Sequence, residues 1–215
     1  RGVSMGVHES QSRILENQLG RSEPLADWLF KKFFDYFGDI GLKDSTSFYN
    51  SINSVKNGFI RTESDELQYN IHVLLRYRLE KWLFDGELNA NDLEYVWNEE
   101  FEKDFGLIIE NPSEGILQDV HWSEGLFGYF PTYSLGNVYA GCLYDAMQIQ
   151  LPTLNENLNS GDLTGAIDWL ANSVQKHGSL YSPVDLISGA CGFDVTAKPL
   201  IAYINKKFSS IYNLN

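Results

Sequence analysis

Apolar residues recur at the helical period of 3.6 along most of the chain, and residues 107–133 keep neither that period nor the period of 2 for long. Such a sequence is constrained to fold as packed helices, each burying one stripe, around one irregular insert. Residues 4–18 read as the first helix. Residues 24–37, PLADWLFKKFFDYF, read as another, with Ser22 and Pro24 as start signals and Gly38 as the stop. Leu25, Trp28, Leu29, Phe33 and Phe37 keep close to one of its faces. Residues 63–84, ESDELQYNIHVLLRYRLEKWLF, give the longest candidate, closed by Gly86, and 91–105 follow, ended by Gly106. Residues 134–150 carry Gly136, Ala140, Gly141 and Ala146, small enough to admit a second helix at close range. Later helices are signalled by Gly161-Asp162 and by Ser182-Pro183, a cap followed by proline at the first helical position. The last, about 197–212, places Leu200, Ile201, Ile204, Phe208 and Ile211 on one side. Asn57-Gly58 marks a turn, and Phe59-Ile60-Arg61 is a candidate short extended piece. The expected class is all-α, one multi-helix unit over 1–215 with at most a short β element, and without internal repeat, low-complexity tract or linker.

The insert contains ENPSEGILQDVHWSEGLFGYFPTY, rich in glycine, proline and large aromatics. Long structureless connections are uncommon in compact domains, so this one is expected to be ordered and functional. Composition narrows the function classes. Sixteen Lys plus Arg against 29 Asp plus Glu give a formal net charge of −13. That balance argues against sequence-independent binding of nucleic acid and against docking to anionic membranes. No apolar run approaches the roughly 20 residues of a membrane-spanning helix, and residues 1–18 do not read as a secretory signal. The chain opens on Arg1 without an initiator methionine, which suggests a piece of a longer protein. Cys142 and Cys191 lack the C-x-x-C spacing and sit among small residues, so buried thiols in a reducing, cytoplasmic setting are expected.

Near its start the chain reads GVHESQSR. His8-Glu9 begins like the H-E-x-x-H zinc-protease helix, but Ser12 stands where the second histidine is needed. On a helix, Glu9, Ser12, Arg13 and Glu16 form one polar stripe. Two readings follow: a solvated face with a Glu9–Arg13 pair, or Glu9 pointing into a site as the carboxylate ligand of a zinc ion whose histidines lie on another helix. Arg61, beside the Asn57-Gly58 turn, is either a surface arginine or a fork for a free peptide carboxylate, whose two oxygens it matches. GILQDVHW, residues 115–122, packs amide, carboxylate, imidazole and indole together. His121 there is either a satisfied core histidine or a group for proton handling. In GYFPTYSLGN, residues 128–137, Tyr129 and Tyr133 form a packed aromatic turn or supply a hydroxyl to a developing oxyanion. His72 and His177 stand apart from ligand-like spacing and are taken as structural. Neither a phosphate-binding loop nor a G-x-S-x-G elbow is present.

Three of these segments, HESQ at 8–11, IRTESD at 60–65 and GILQDVHW at 115–122, resemble in order three motifs of the thermostable carboxypeptidase (carboxypeptidase Taq) family of zinc metallopeptidases: HES(or G)Q, (I/V)RxxAD and GxxQDxHW. GRSEPLADWL, DLEYVWNE, GYFPTYSLGN and HGSLYSPVDLISGACG also look right. The similarity runs the whole chain and corresponds to roughly the C-terminal half of such an enzyme. The resemblance implies a mostly helical peptidase half around a deep groove. It implies Glu9 as third zinc ligand, with cobalt as a possible substitute, and two histidines from H-E-x-x-H in a preceding N-terminal portion. Arg61 would hold the substrate's C-terminal carboxylate, and His121 and Tyr133 would contact the scissile peptide. Gln118, Asp119 and Asp65 would support them. A homodimer acting on peptides, without nucleic-acid or membrane partners, is implied as well. Ser64 stands where the family has alanine, a small change. Larger is the absence of H-E-x-x-H and of the HPF and DxRxT motifs that precede it, so the 215 residues alone are expected to be inactive. Two alternatives stand beside it: a non-catalytic helical interaction module that keeps the fold of a peptidase half, and a related helical oligopeptidase that would release internal fragments.

Overall fold

The computed structural model describes residues 2–214. Ten α-helices lie among them: α1 (Met5–Arg13), α2 (Glu23–Phe37), α3 (Ser45–Ile52), α4 (Tyr69–Asp85), α5 (Leu93–Phe105), α6 (Pro131–Gln150), α7 (Leu154–Asn159), α8 (Thr164–Ser173), α9 (Pro183–Cys191) and α10 (Lys198–Tyr212). No strand occurs among the described residues; Ile60 is extended, at φ −95° and ψ 118°, but forms no ladder. None of the helices is long and apolar enough to cross a membrane.

The chain divides into two compact units. Residues Ser54–Ser134 form one, and the polypeptide on either side of it forms the other. In the flanking unit, Ile14, Leu19, Leu143, Leu158, Leu170 and Ile187 are fully enclosed and belong to one apolar cluster. The small residues of α6 do what their size suggests. A Cβ on Gly141 would lie 2.8 Å from the Cα of Leu200 on α10, and one on Gly136 would lie 2.6 Å from Cγ of Glu9 on α1. Cys142 and Cys191 are free and buried, and burial pushes the Cys191 thiol up to about 12.

In the Ser54–Ser134 unit, α4 packs on α5 around Leu75, Leu79, Trp97, Phe101 and Phe105. Phe101 stacks on Phe105 at 4.5 Å and on Phe59 at 5.9 Å. His72, which the sequence marks as structural, lies 4.2 Å from the Phe105 ring.

Several boundaries differ from the periodicity. The first helix is α-helical only to Arg13; a wider π-helical turn, Ile14–Leu19, follows, in which Gly20 N–H donates to the Leu15 carbonyl at 2.8 Å. α4 starts at Tyr69 instead of 63, because Asp65 is used locally. Its Oδ1 accepts from Gln68 N–H at 2.9 Å and its Oδ2 from Lys56 N–H at 3.0 Å, tying a turn where a helix would otherwise begin. α6 reaches back to Pro131, a favourable first helical residue. The eight-residue α3 and six-residue α7 carry too few turns for a period to register. Asp44 caps α3 by accepting from Ser47 N–H at 2.8 Å.

Candidate functional site

The central residue of the Ser54–Ser134 unit is Asp119. It follows a short 3₁₀ turn, Ile116–Gln118, in the irregular insert. Two guanidinium groups converge on its carboxylate. Arg61 donates Nη2–H to Oδ1 at 2.6 Å and Nε–H at 3.2 Å, while Arg76 donates Nε–H to Oδ2 at 2.6 Å. Burial opposes ionisation of Asp119, but the hydrogen bond from Arg61 and the charges of both arginines outweigh it and hold its carboxyl below the usual range. Burial likewise works against Arg61, and the bond to Asp119 overcomes it, so this guanidinium stays charged. Arg76 is wholly enclosed; burial pulls it down to about 10 although Asp119 opposes the shift. It also donates Nη1–H to the His72 carbonyl at 2.7 Å and lies 4.7 Å over the Trp97 ring. Two guanidinium groups thus share the one carboxylate of Asp119.

Arg61 is positioned from several sides. Its backbone N–H donates to Gln118 Oε1 at 2.8 Å, and its Nη1–H donates to the Tyr69 hydroxyl at 2.9 Å. The Tyr133 ring centroid lies 4.8 Å from the guanidinium carbon. A guanidinium carries five N–H donors. Asp119 and Tyr69 do not exhaust them, so donor capacity remains on Arg61. Gln118 is consumed in holding the turn, since its amide also donates to the carbonyls of Phe59 at 3.0 Å and Glu114 at 2.8 Å.

His121 stands next to this cluster. Its Nε2 is 2.9 Å from the Tyr133 hydroxyl, and its Nδ1 is 3.8 Å from Asp119 Oδ1. The ring packs 4.4 Å from Phe130. Burial lowers the His121 pKa against the pull of Asp119, which favours the neutral imidazole near pH 7. A neutral ring paired with a phenol can exchange donor and acceptor roles, as proton handling or oxyanion stabilisation requires.

The structure therefore brings together Arg61, Gln118, Asp119, His121 and Tyr133. Asp65 is in the same unit but serves the turn before α4. Three residues of this neighbourhood were not singled out from the sequence: Tyr69, Arg76 and Glu80. Glu80 is buried, and its carboxylate accepts from Trp122 Nε1–H at 2.8 Å and from Gly128 N–H. The signal for two of them was available. His72, Arg76 and Glu80 are spaced by four, so they share a helical face, and buried Val73, Leu75 and Leu79 surround that face.

Glu9 belongs to the flanking unit. Its Oε1 accepts from Arg13 Nε–H at 2.8 Å, and its side chain is 21% exposed. The Glu9–Arg13 pair of the first sequence reading is present. Among the described residues no group of three or more His, Cys, Asp or Glu is arranged to hold a metal ion.

Comparison with known proteins identifies this architecture. The family described as Carboxypeptidase Taq (M32) metallopeptidase matches residues 1–208. Carboxypeptidase 1 of Bacillus subtilis is 40% identical over 217 residues, covering 99% of this chain and 43% of that protein. Thermostable carboxypeptidase 1 of Thermus thermophilus is 39% identical, covering 98% of this chain and 41% of that protein. The crystal structure of an M32 carboxypeptidase from Deinococcus radiodurans superposes with a TM-score of 0.95 at 36% identity, over 99% of this chain and 43% of that one. The chain thus spans about two fifths of the length of these relatives. On the strength of the profile match and of identities near 40% across its whole length, the chain belongs to the carboxypeptidase Taq metallopeptidase family.

Proposed function

We propose that residues 1–215 are the C-terminal portion of a metal-dependent carboxypeptidase that releases single C-terminal amino acids from peptides. The observation that carries this reading is the buried pair of arginines on Asp119 beside the His121–Tyr133 pair. A buried guanidinium with unused N–H donors suits a free carboxylate. The neighbouring imidazole and phenol suit the carbonyl one residue upstream. In this assignment Arg61 receives the terminal carboxylate, Asp119 and Gln118 fix its orientation, and His121 and Tyr133 face the scissile peptide. Glu9 is one donor to a zinc ion, or cobalt, whose histidines come from polypeptide outside these residues. The parent enzyme is read as a cytoplasmic homodimer.

The test compares peptides with a free and with an amidated C-terminus, using protein expressed from the complete gene. Single amino acids should be released from the free form, and amidation should lower kcat/KM by tenfold or more, as loss of a hydrogen bond to a charged group costs about 1.5–3 kcal/mol. Arg61→Met should remove that discrimination. Equal cleavage of both forms would sink the assignment of Arg61, and internal fragments as products would point to an oligopeptidase.

A further inference from the structure

The segment carrying His121 has little regular structure of its own, so something outside it must fix its position. Two residues of α4 do this, one helical turn apart. Arg76 grips Asp119, two residues before His121, through Nε–H at 2.6 Å. Glu80 grips Trp122, the residue after His121, through its indole N–H at 2.8 Å, and holds Gly128 N–H with its other oxygen. Both grips are charge-assisted and both lie in the interior, where Arg76 is 0% and Glu80 8% exposed. Trp122 and Arg76 share the Trp97 ring: the two indoles meet edge-on at 6.0 Å and the guanidinium lies 4.7 Å away. The Phe130 ring closes the other side, 5.5 Å from Arg76 and 4.4 Å from His121.

We propose that Arg76 and Glu80 are positioning residues, a two-point clamp on α4 that stretches the insert so that His121 meets Tyr133 and Asp119 meets Arg61. The idea rests on the carboxypeptidase reading for its catalytic consequence but not for its geometry. The chemistry of the clamp is specific. Glu80 offers an acceptor oxygen to each of two N–H donors. Glutamine at this position offers only one, so either Trp122 or Gly128 is released. Arg76 must reach Asp119 and the His72 carbonyl at once. A lysine keeps the charge but brings a single ammonium, whereas methionine removes both bonds and leaves Asp119 with one cation.

The experiment uses protein expressed from the complete gene, with Glu80→Gln, Arg76→Lys and Arg76→Met. Two readouts are taken per folded molecule: kcat and KM for amino-acid release, and the ring nitrogen resonances of His121. The clamp predicts that Glu80→Gln and Arg76→Met lower kcat by about tenfold or more, since a displacement near 1 Å suffices. It also predicts that Arg76→Lys recovers part of that loss, and that the His121 resonances move in every variant. A purely structural role would lower thermal stability while leaving kcat per folded molecule and the His121 resonances unchanged, and that outcome would overturn the clamp. Should the wild-type protein release no amino acids, the carboxypeptidase reading fails alone, because the resonances still decide the clamp.

Discussion

His72 is the residue whose surroundings make the plainest thermodynamic demand. Its ring is fully enclosed against Phe105, with Arg76 on the same helix. Burial, reinforced by the charges of Arg76 and Arg61, drives its pKa down to about 3. The unfolded ring takes up a proton near 6.5. Between these values the unfolded state binds more protons than the folded one, so stability falls as the pH drops below about 6.5. The contribution of this residue approaches 1.4 kcal/mol per pH unit, the cost of one proton. Denaturant unfolding from pH 7 to pH 4 should therefore destabilise the wild type more steeply than His72→Leu, which has nothing to protonate there. Equal slopes would show that the ring is charged or solvated in the folded state. The sequence marked His72 as structural for lack of ligand spacing, and that description fits. What it did not reveal is the partnership with Arg76, because an arginine in an apolar helix reads as surface until its face is identified.

At the scale of elements, the contact between α1 and α6 is set by a missing side chain. A Cβ on Gly136 would stand 2.6 Å from Cγ and 2.7 Å from Cβ of Glu9, and the Glu9 Cβ is fixed to the backbone of α1. Gly136→Ala must push the helices apart or reorient Glu9. Overpacking of this kind costs about 1–3 kcal/mol, visible as a lower denaturation midpoint. Gly189→Ala is the matched control. It lies on α9 with open space around it, so alanine should be neutral or raise stability by up to about 1 kcal/mol. A neutral Gly136→Ala would show that Glu9 is not held against α6. This close approach was legible: Gly136, Ala140, Gly141 and Ala146 stand out in an otherwise bulky helix. The start of α4 was not. The sequence allows a helix from 63, and only the tertiary bond from Lys56 N–H reveals that Asp65 ties a turn. The π-helical turn Ile14–Leu19 was hidden too, since one extra residue per turn hardly disturbs a short pattern.

At the scale of the whole molecule, the decisive quantity is the number of metal donors these residues can assemble. Family membership implies a metallopeptidase, but no group of three or more candidate donors is present among the described residues. The one carboxylate assigned to the metal already accepts a hydrogen bond from Arg13 at 2.8 Å. A single oxygen donor does not offset the cost of stripping water from a divalent ion, and a zinc site needs three or four protein ligands. The 215-residue polypeptide, purified alone, should therefore bind zinc no more tightly than its net charge of −13 dictates. That diffuse attraction is screened over about 8 Å at 0.15 M ionic strength. Equilibrium dialysis should then show zinc uptake that collapses between 0.01 M and 0.15 M salt, with no amino-acid release from peptides. A stoichiometric zinc ion retained at 0.15 M salt, or release of amino acids that a chelator abolishes, would mean that these residues build a metal centre of their own. The idea that Glu9 waits for donors from elsewhere would then be wrong.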